Sequence, residues 1–124
     1  MKLSSIIFAT GCLAALPLAN AEPGFPDGSV AGSASDIQQR FSGKTFNVKL
    51  ADGGTWHVEY KADGGFSLKM NNGFSDSGEW KAEDGKICSK GRRIGSSCNE
   101  VRTTADAIFL KRDSGEIVEF VPQQ

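Results

Sequence analysis

Few side chains in this sequence have the type and spacing for covalent or acid–base chemistry, and those few argue against an enzyme. His57 is the single histidine. Around it no Ser-His-Asp set can be assigned, and no Cys/His cluster has metal-ligand spacing. In the alternating stretch that holds it, His57 falls opposite Trp56, Val58 and Tyr60, where a solvated or cross-strand-paired imidazole is expected. Carboxylates are plentiful, and a pair of them could in principle do glycoside chemistry. Most, however, fall in turns (Asp63, Asp84, Asp113) or at outward strand positions such as Glu59, and turn chemistry accounts for them. The turns also lack the spacing of a calcium loop. No catalytic residue, metal ligand or cofactor is therefore assigned.

What remains are three sets of residues suited to crosslinking or binding. Cys88 and Cys98 form an even pair once Cys12, inside an N-terminal apolar run, is set aside. In an oxidising compartment they are expected to form one disulfide, worth roughly 2–3 kcal/mol through loop-closure entropy. Between them, Ser89 to Ser97 carries three cations, Lys90, Arg92 and Arg93, on what is expected to be a pinned loop. Such a loop would suit an anionic partner, but the plainer and favoured reading is a solvated hairpin tip whose charges blunt a sheet edge. The third set is aromatic. Trp56, Tyr60 and Trp80 share an inferred inner face with Phe46 and Phe66, where they either form core or line an apolar cavity.

The elements that must position these residues follow from periodicity. Met1 and Lys2, the apolar run Leu3 to Leu18 and the small-x-small sequence Ala19-Asn20-Ala21 make residues 1–21 a signal peptide. A weak lipoprotein-like box ends at Cys12, but the apolar run continues beyond it. Cleavage after Ala21 would leave about 103 residues, enough for one domain. Residues 22–35, rich in Pro, Gly and Ser, are expected to be a flexible leader before a β-rich domain spanning 36–124. A two-turn helix is expected first, with Ser35 as N-cap, Ile37 and Phe41 on its buried face, and Gly43 as its stop. From Thr45 the period becomes two. Turns at Ala51-Asp52-Gly53-Gly54, Ala62-Asp63-Gly64 and Asn71-Asn72-Gly73 join antiparallel strands. Further runs follow over Asp76 to Ala82, Lys86 to Ser89, Cys98 to Thr104, Ala107 to Arg112 and Glu116 to Val121. The expected fold is mainly β: a small antiparallel β-meander forming a barrel or half-barrel, with one short N-terminal helix and one disulfide.

The chain carries 14 basic and 15 acidic side chains, and loss of Lys2 with the signal takes its charge to about −2. That balance gives no electrostatic reason to expect nucleic acid or an anionic membrane as partner, and no transmembrane segment is expected. Gly43-Lys44-Thr45-Phe46, Ala62-Asp63-Gly64, Gly78-Glu79-Trp80, Gly85-Lys86-Ile87-Cys88 and Cys98 together resemble small exported β-rich proteins of unknown function in proteobacteria. That likeness implies export and a late cysteine pair, and no catalytic residue. A weaker similarity to calycin barrels rests on Gly54-Thr55-Trp56 and implies a ligand-holding barrel. The expected function is an exported, non-catalytic binding protein of the bacterial envelope, periplasmic or secreted. It would hold an envelope or extracellular protein, as an inhibitor or immunity-like partner, through Lys90, Arg92 and Arg93. The alternative is a carrier of a small apolar ligand on the Trp56/Tyr60/Trp80 face, and an envelope enzyme ranks last.

Overall fold

Four of the hairpins are built from one turn, repeated with different letters. In each, the residue ending one strand accepts from a glycine three positions on and donates to the carbonyl four positions on: Leu50 with Gly53 and Gly54, Lys61 with Gly64 and Gly65, Met70 with Gly73 and Phe74, Arg112 with Gly115 and Glu116. The glycine must take a left-handed conformation, with φ of 93° at Gly53 and 99° at Gly64, which a side chain would resist. The residue before it caps the turn. Asp52, Asp63 and Asn72 each accept, through a side-chain oxygen, from the backbone N–H two residues on, at 2.8–2.9 Å. Short polar residue followed by glycine is thus the signal that sets each register.

The computed structural model describes residues 24–123, so the expected signal peptide and its cleavage site lie outside the described residues. The strands are β1 Val30–Ala31, β2 Lys44–Lys49, β3 Thr55–Tyr60, β4 Gly65–Met70, β5 Ser75–Glu83, β6 Lys86–Gly91, β7 Gly95–Thr103, β8 Ile108–Lys111, β9 Ile117–Glu119 and β10 Val121–Pro122. Strands β2 to β9 form an antiparallel meander in chain order. β9 pairs with β8 while β10 pairs with β2, so the last strand changes partner at Phe120 and nearly closes a barrel. β1 adds to β7 at Thr103 and Arg102, beyond the end of β6. Part of the stretch expected to be a flexible leader is therefore an ordered strand.

One helix, α1 Ala34–Phe41, precedes the meander. Its N-cap is Ser33 rather than the expected Ser35, with the Ser33 side chain accepting from the Asp36 N–H at 3.1 Å. The start is fixed from outside as well, because Asp84 in the β5–β6 turn accepts from the Ala34 N–H. Ile37 and Phe41, four apart, are wholly buried. Phe41 sits among Phe46, Tyr60, Trp80 and Phe120 with ring centroids 5.0–6.4 Å away, in tilted and edge-to-face contacts that close the helix end of the barrel.

The segment between the cysteines is a hairpin tip, and its strands run further than the expected Lys86 to Ser89 and Cys98 to Thr104: Ser89 pairs with Ser97, Lys90 with Ser96 and Gly91 with Gly95, leaving only Arg92–Ile94 as the turn. Cys88 and Cys98 face each other across the ladder, Cα atoms 4.0 Å apart, and are joined by the disulfide. β5 and β6 approach closely, since a Cβ on Gly78 would lie 1.9 Å from the Lys90 carbonyl oxygen.

Replacing Phe41 by Ala should cost about 3–5 kcal/mol by leaving a hole among the four rings. A urea denaturation midpoint would show the loss. A change below about 1 kcal/mol would mean the helix does not plug the barrel.

Candidate functional site

Because α1 fills one end of the barrel, the space left inside lies towards the other. A cavity of about 300 Å³ runs from Tyr60 and Phe120 at its floor to Ile94, Asp113 and Ser114 at its mouth. That is near the lower limit for small-molecule sites, roughly 300 Å³. Its walls differ in chemistry. β3 and β4 supply Trp56, Val58, Phe66 and Leu68, the inward set of two strands whose alternation is strict. β6 and β7 supply Ser89, Ser97 and Asn99 from the same inward register as Ile87 and Val101. Inward positions normally filled by aliphatic side chains in a small barrel are here hydroxyls and an amide.

Arg112 stands at the junction of the two walls. Its guanidinium lies 5.1 Å above the Trp56 ring and pairs with Glu116. Glu116 also accepts from the Ala51 N–H at 2.8 Å, which ties the β8–β9 turn to the β2–β3 turn beside the mouth. The Ala51 N–H, followed by the Arg112 side chain, holds the Glu116 carboxyl below its usual range. Asn99 is fixed by donating its amide to the Lys111 carbonyl and to Asp113. In contrast, the indole N–H of Trp56 is buried without an acceptor among the described residues. An orphan donor of this kind costs about 1–3 kcal/mol when nothing else meets it.

The mouth is overhung by the β6–β7 turn, and that turn is rigidly held. Asp76, only 9% exposed, accepts from the backbone N–H groups of Ser77, Arg93 and Ile94 at 2.8–3.2 Å. Burial of this carboxyl works against ionisation, but donation by Ile94, Arg93 and Ser77 more than offsets it and holds the group below the usual carboxylate range. The space for the carboxylate exists because residue 91 is glycine: a Cβ there would lie 2.3 Å from Asp76 Oδ2. Held this way, the turn presents Ile94, 44% exposed, at the cavity rim.

The residues singled out from sequence separate into different places. Trp56 and Tyr60 line the cavity, and burial pushes the Tyr60 phenol well above its ordinary pKa. Trp80 does not line it. Its indole donates to the Lys61 carbonyl at 2.9 Å and its ring packs edge-on to Tyr60, so it belongs to the aromatic floor. The three cations do not act as one loop. Lys90 is on β6 opposite Glu79, Arg93 lies 4.5 Å over the Phe74 ring and donates to the Ser75 carbonyl, and Arg92 is exposed at the turn. His57 is on the outer face, its Nδ1 2.9 Å from Asn47 Oδ1. The one group of metal-ligating types among the described residues, Glu83 with Cys88 and Cys98, has its two sulfurs tied in the disulfide.

Ser89, Ser97, Asn99, Arg112 and Asp76 carry the site and were not singled out in advance. Their signal is phase: each occupies an inward position, yet is polar. Asp76 should make the β6–β7 turn acid-sensitive. Its contribution to stability is complete above the unfolded carboxyl pKa of about 3.9 and is lost as pH falls from there through the lower folded value. The denaturation midpoint of the native chain should therefore approach that of Asp76→Asn between pH 5 and pH 2; a gap independent of pH would contradict the clamp. No protein-family model, curated protein or solved structure matches this chain.

Proposed function

We propose that this protein is an exported, non-catalytic binding protein that takes a small amphipathic molecule into the open end of its barrel. The observation that carries this reading is the cavity of about 300 Å³ with one apolar and one polar wall. A barrel needing only stability would fill that space with aliphatic side chains, as it does around Val48, Val101 and Val118. The disulfide supports a location in an oxidising compartment, periplasmic or extracellular. Export fits the signal-like N-terminus and the resemblance to small exported β-rich proteins. No helix among the described residues is long and apolar enough to cross a membrane.

A second reading, binding of an envelope or extracellular protein, is favoured by one specific observation. The Asp76-clamped turn displays Arg92 and Ile94 on a fixed backbone, and a preformed loop loses little entropy on docking.

A melting-temperature screen against one-ring compounds separates the two. The cavity reading expects a saturable rise with at least one compound, abolished by Ser97→Phe, which projects a ring into the cavity. It also expects Trp56→Phe to remove the ligand-dependent change in tryptophan emission while Trp80→Phe retains it. No rise with any compound, together with a protein partner lost on Arg92→Glu, would replace it with the second reading.

A further inference from the structure

We propose that the outer face of the sheet carries a second site, a cleft between β4, β5 and the β6–β7 turn that binds the phosphate group of a monoester. It lies outside the barrel and is independent of the cavity. The cleft holds about 420 Å³ and is lined by Lys69, Arg92, Arg93, Ser67, Ser75 and Ser77. Strand alternation places these residues. Leu68 and Asp76 are the buried, inward positions, so Ser67 and Lys69 on β4 and Ser75 and Ser77 on β5 face out. Ser67 lies directly across from Ser77, and Lys69 from Ser75.

What sets these cations apart is the want of a carboxylate partner. Elsewhere on the outer face of β5, β6 and β7 the charges are matched. Lys90 is opposite Glu79, and Lys86 lies between Glu83 and Glu100. Lys81 pairs with Glu83 at 3.3 Å and Arg102 with Glu100 at 3.6 Å. Lys69 instead lies between His57 and Ser75. Among the described residues no ion pair reaches Lys69, Arg92 or Arg93. Glu59, across from Ser67 on the neighbouring strand, does not line the cleft. Asp76 does, but both its oxygens accept from the backbone N–H groups of Ser77, Arg93 and Ile94.

Charge and preorganisation select the ligand. Three cations against the one Asp76 carboxylate leave two positive charges at the cleft. A phosphomonoester dianion balances them, whereas a carboxylate or a sulfate ester brings a single charge. The serine hydroxyls can donate to the remaining phosphate oxygens. Arg93 is held in place, its guanidinium 4.5 Å over the Phe74 ring and donating to the Ser75 carbonyl. The backbone beneath both arginines is fixed too. Arg92 donates its N–H to the Ser77 carbonyl, and Asp76 binds the N–H of Arg93, so little order remains to be gained on binding.

The test is a titration of the oxidised protein with methyl phosphate, methyl sulfate and acetate, followed by backbone amide chemical shifts. It is run in low salt at about pH 7.5, where methyl phosphate is mainly a dianion. Methyl phosphate should shift the amides of Ser67, Ser77, Arg92 and Arg93 saturably and bind about three- to fivefold tighter than either monoanion. Lys69→Ala and Arg92→Ala should each weaken it about threefold. Lys90→Ala removes the same charge from a residue that faces Glu79, and should leave the affinity unchanged. All three variants alter exposed side chains, and their spectra must first overlay the native one away from the substitution. Shifts that do not saturate, or equal affinity for the three anions, would overturn the site. So would a loss with Lys90→Ala as large as with Arg92→Ala, since that is the response of a diffuse field.

Discussion

The structure depends on Phe41 entering the barrel from one end. A meander of short strands closes only if something fills its axis, and here the strands' own side chains are joined at one end by Ile37 and Phe41 of the helix. The helix delivers a whole aromatic ring to the point where Phe46, Tyr60, Trp80 and Phe120 converge. Phe120 is also where the last strand leaves β8 for β2, so the ring that closes the core marks the residue that closes the sheet. Burial of these aromatics, at roughly 25 cal/mol per Å² of apolar surface, is a dominant favourable contribution in a domain this small.

From that asymmetry the rest follows. With one end plugged by aromatic packing, the other end need not be, and there the inward positions change character from aliphatic to polar. The polar wall is concentrated on β6 and β7, the hairpin tied by Cys88 and Cys98. A strand pair with serine and asparagine facing inward has weak hydrophobic specification of its register. The disulfide supplies a covalent register in its place, and Asp76 fixes the far end by binding the turn's N–H groups. Crosslink, clamp and cavity thus occupy one hairpin.

Much of the fold is legible in the sequence. The change to a period of two at Thr45, the polar-glycine turns and the Ile37/Phe41 spacing lead to a β-meander with a leading helix, and the cysteine pairing follows from an even count. What is harder to read has physical causes. The full length of the β6–β7 hairpin is hidden because its inner strand segments, Ser89–Gly91 and Gly95–Ser97, lack the apolar alternation by which strands are recognised. The short β1 depends on a partner, the lower half of β7, more than seventy residues away in the chain. The helix begins at Ser33 because Asp84, fifty residues on, binds the Ala34 N–H. The aromatic face is only half predictive of the site: Trp56 and Tyr60 reach the cavity, whereas Trp80 spends its indole on Lys61 and its ring on the floor. The more useful sign is a polar residue in an inward phase, as at Ser89, Ser97, Asn99 and Asp76.

The central claim is that the open end of the barrel is an occupied site in the working protein. Intermolecular nuclear Overhauser effects between the ring protons of a one-ring compound and the side-chain methyls of the isotope-labelled protein address it most directly. The account predicts contacts to Val58, Leu68 and Leu110, which lie inside the barrel between the aromatic floor and the mouth. Contacts confined to Val30, Val121 and the exposed side of Ile94, with none to the three interior residues, would contradict it.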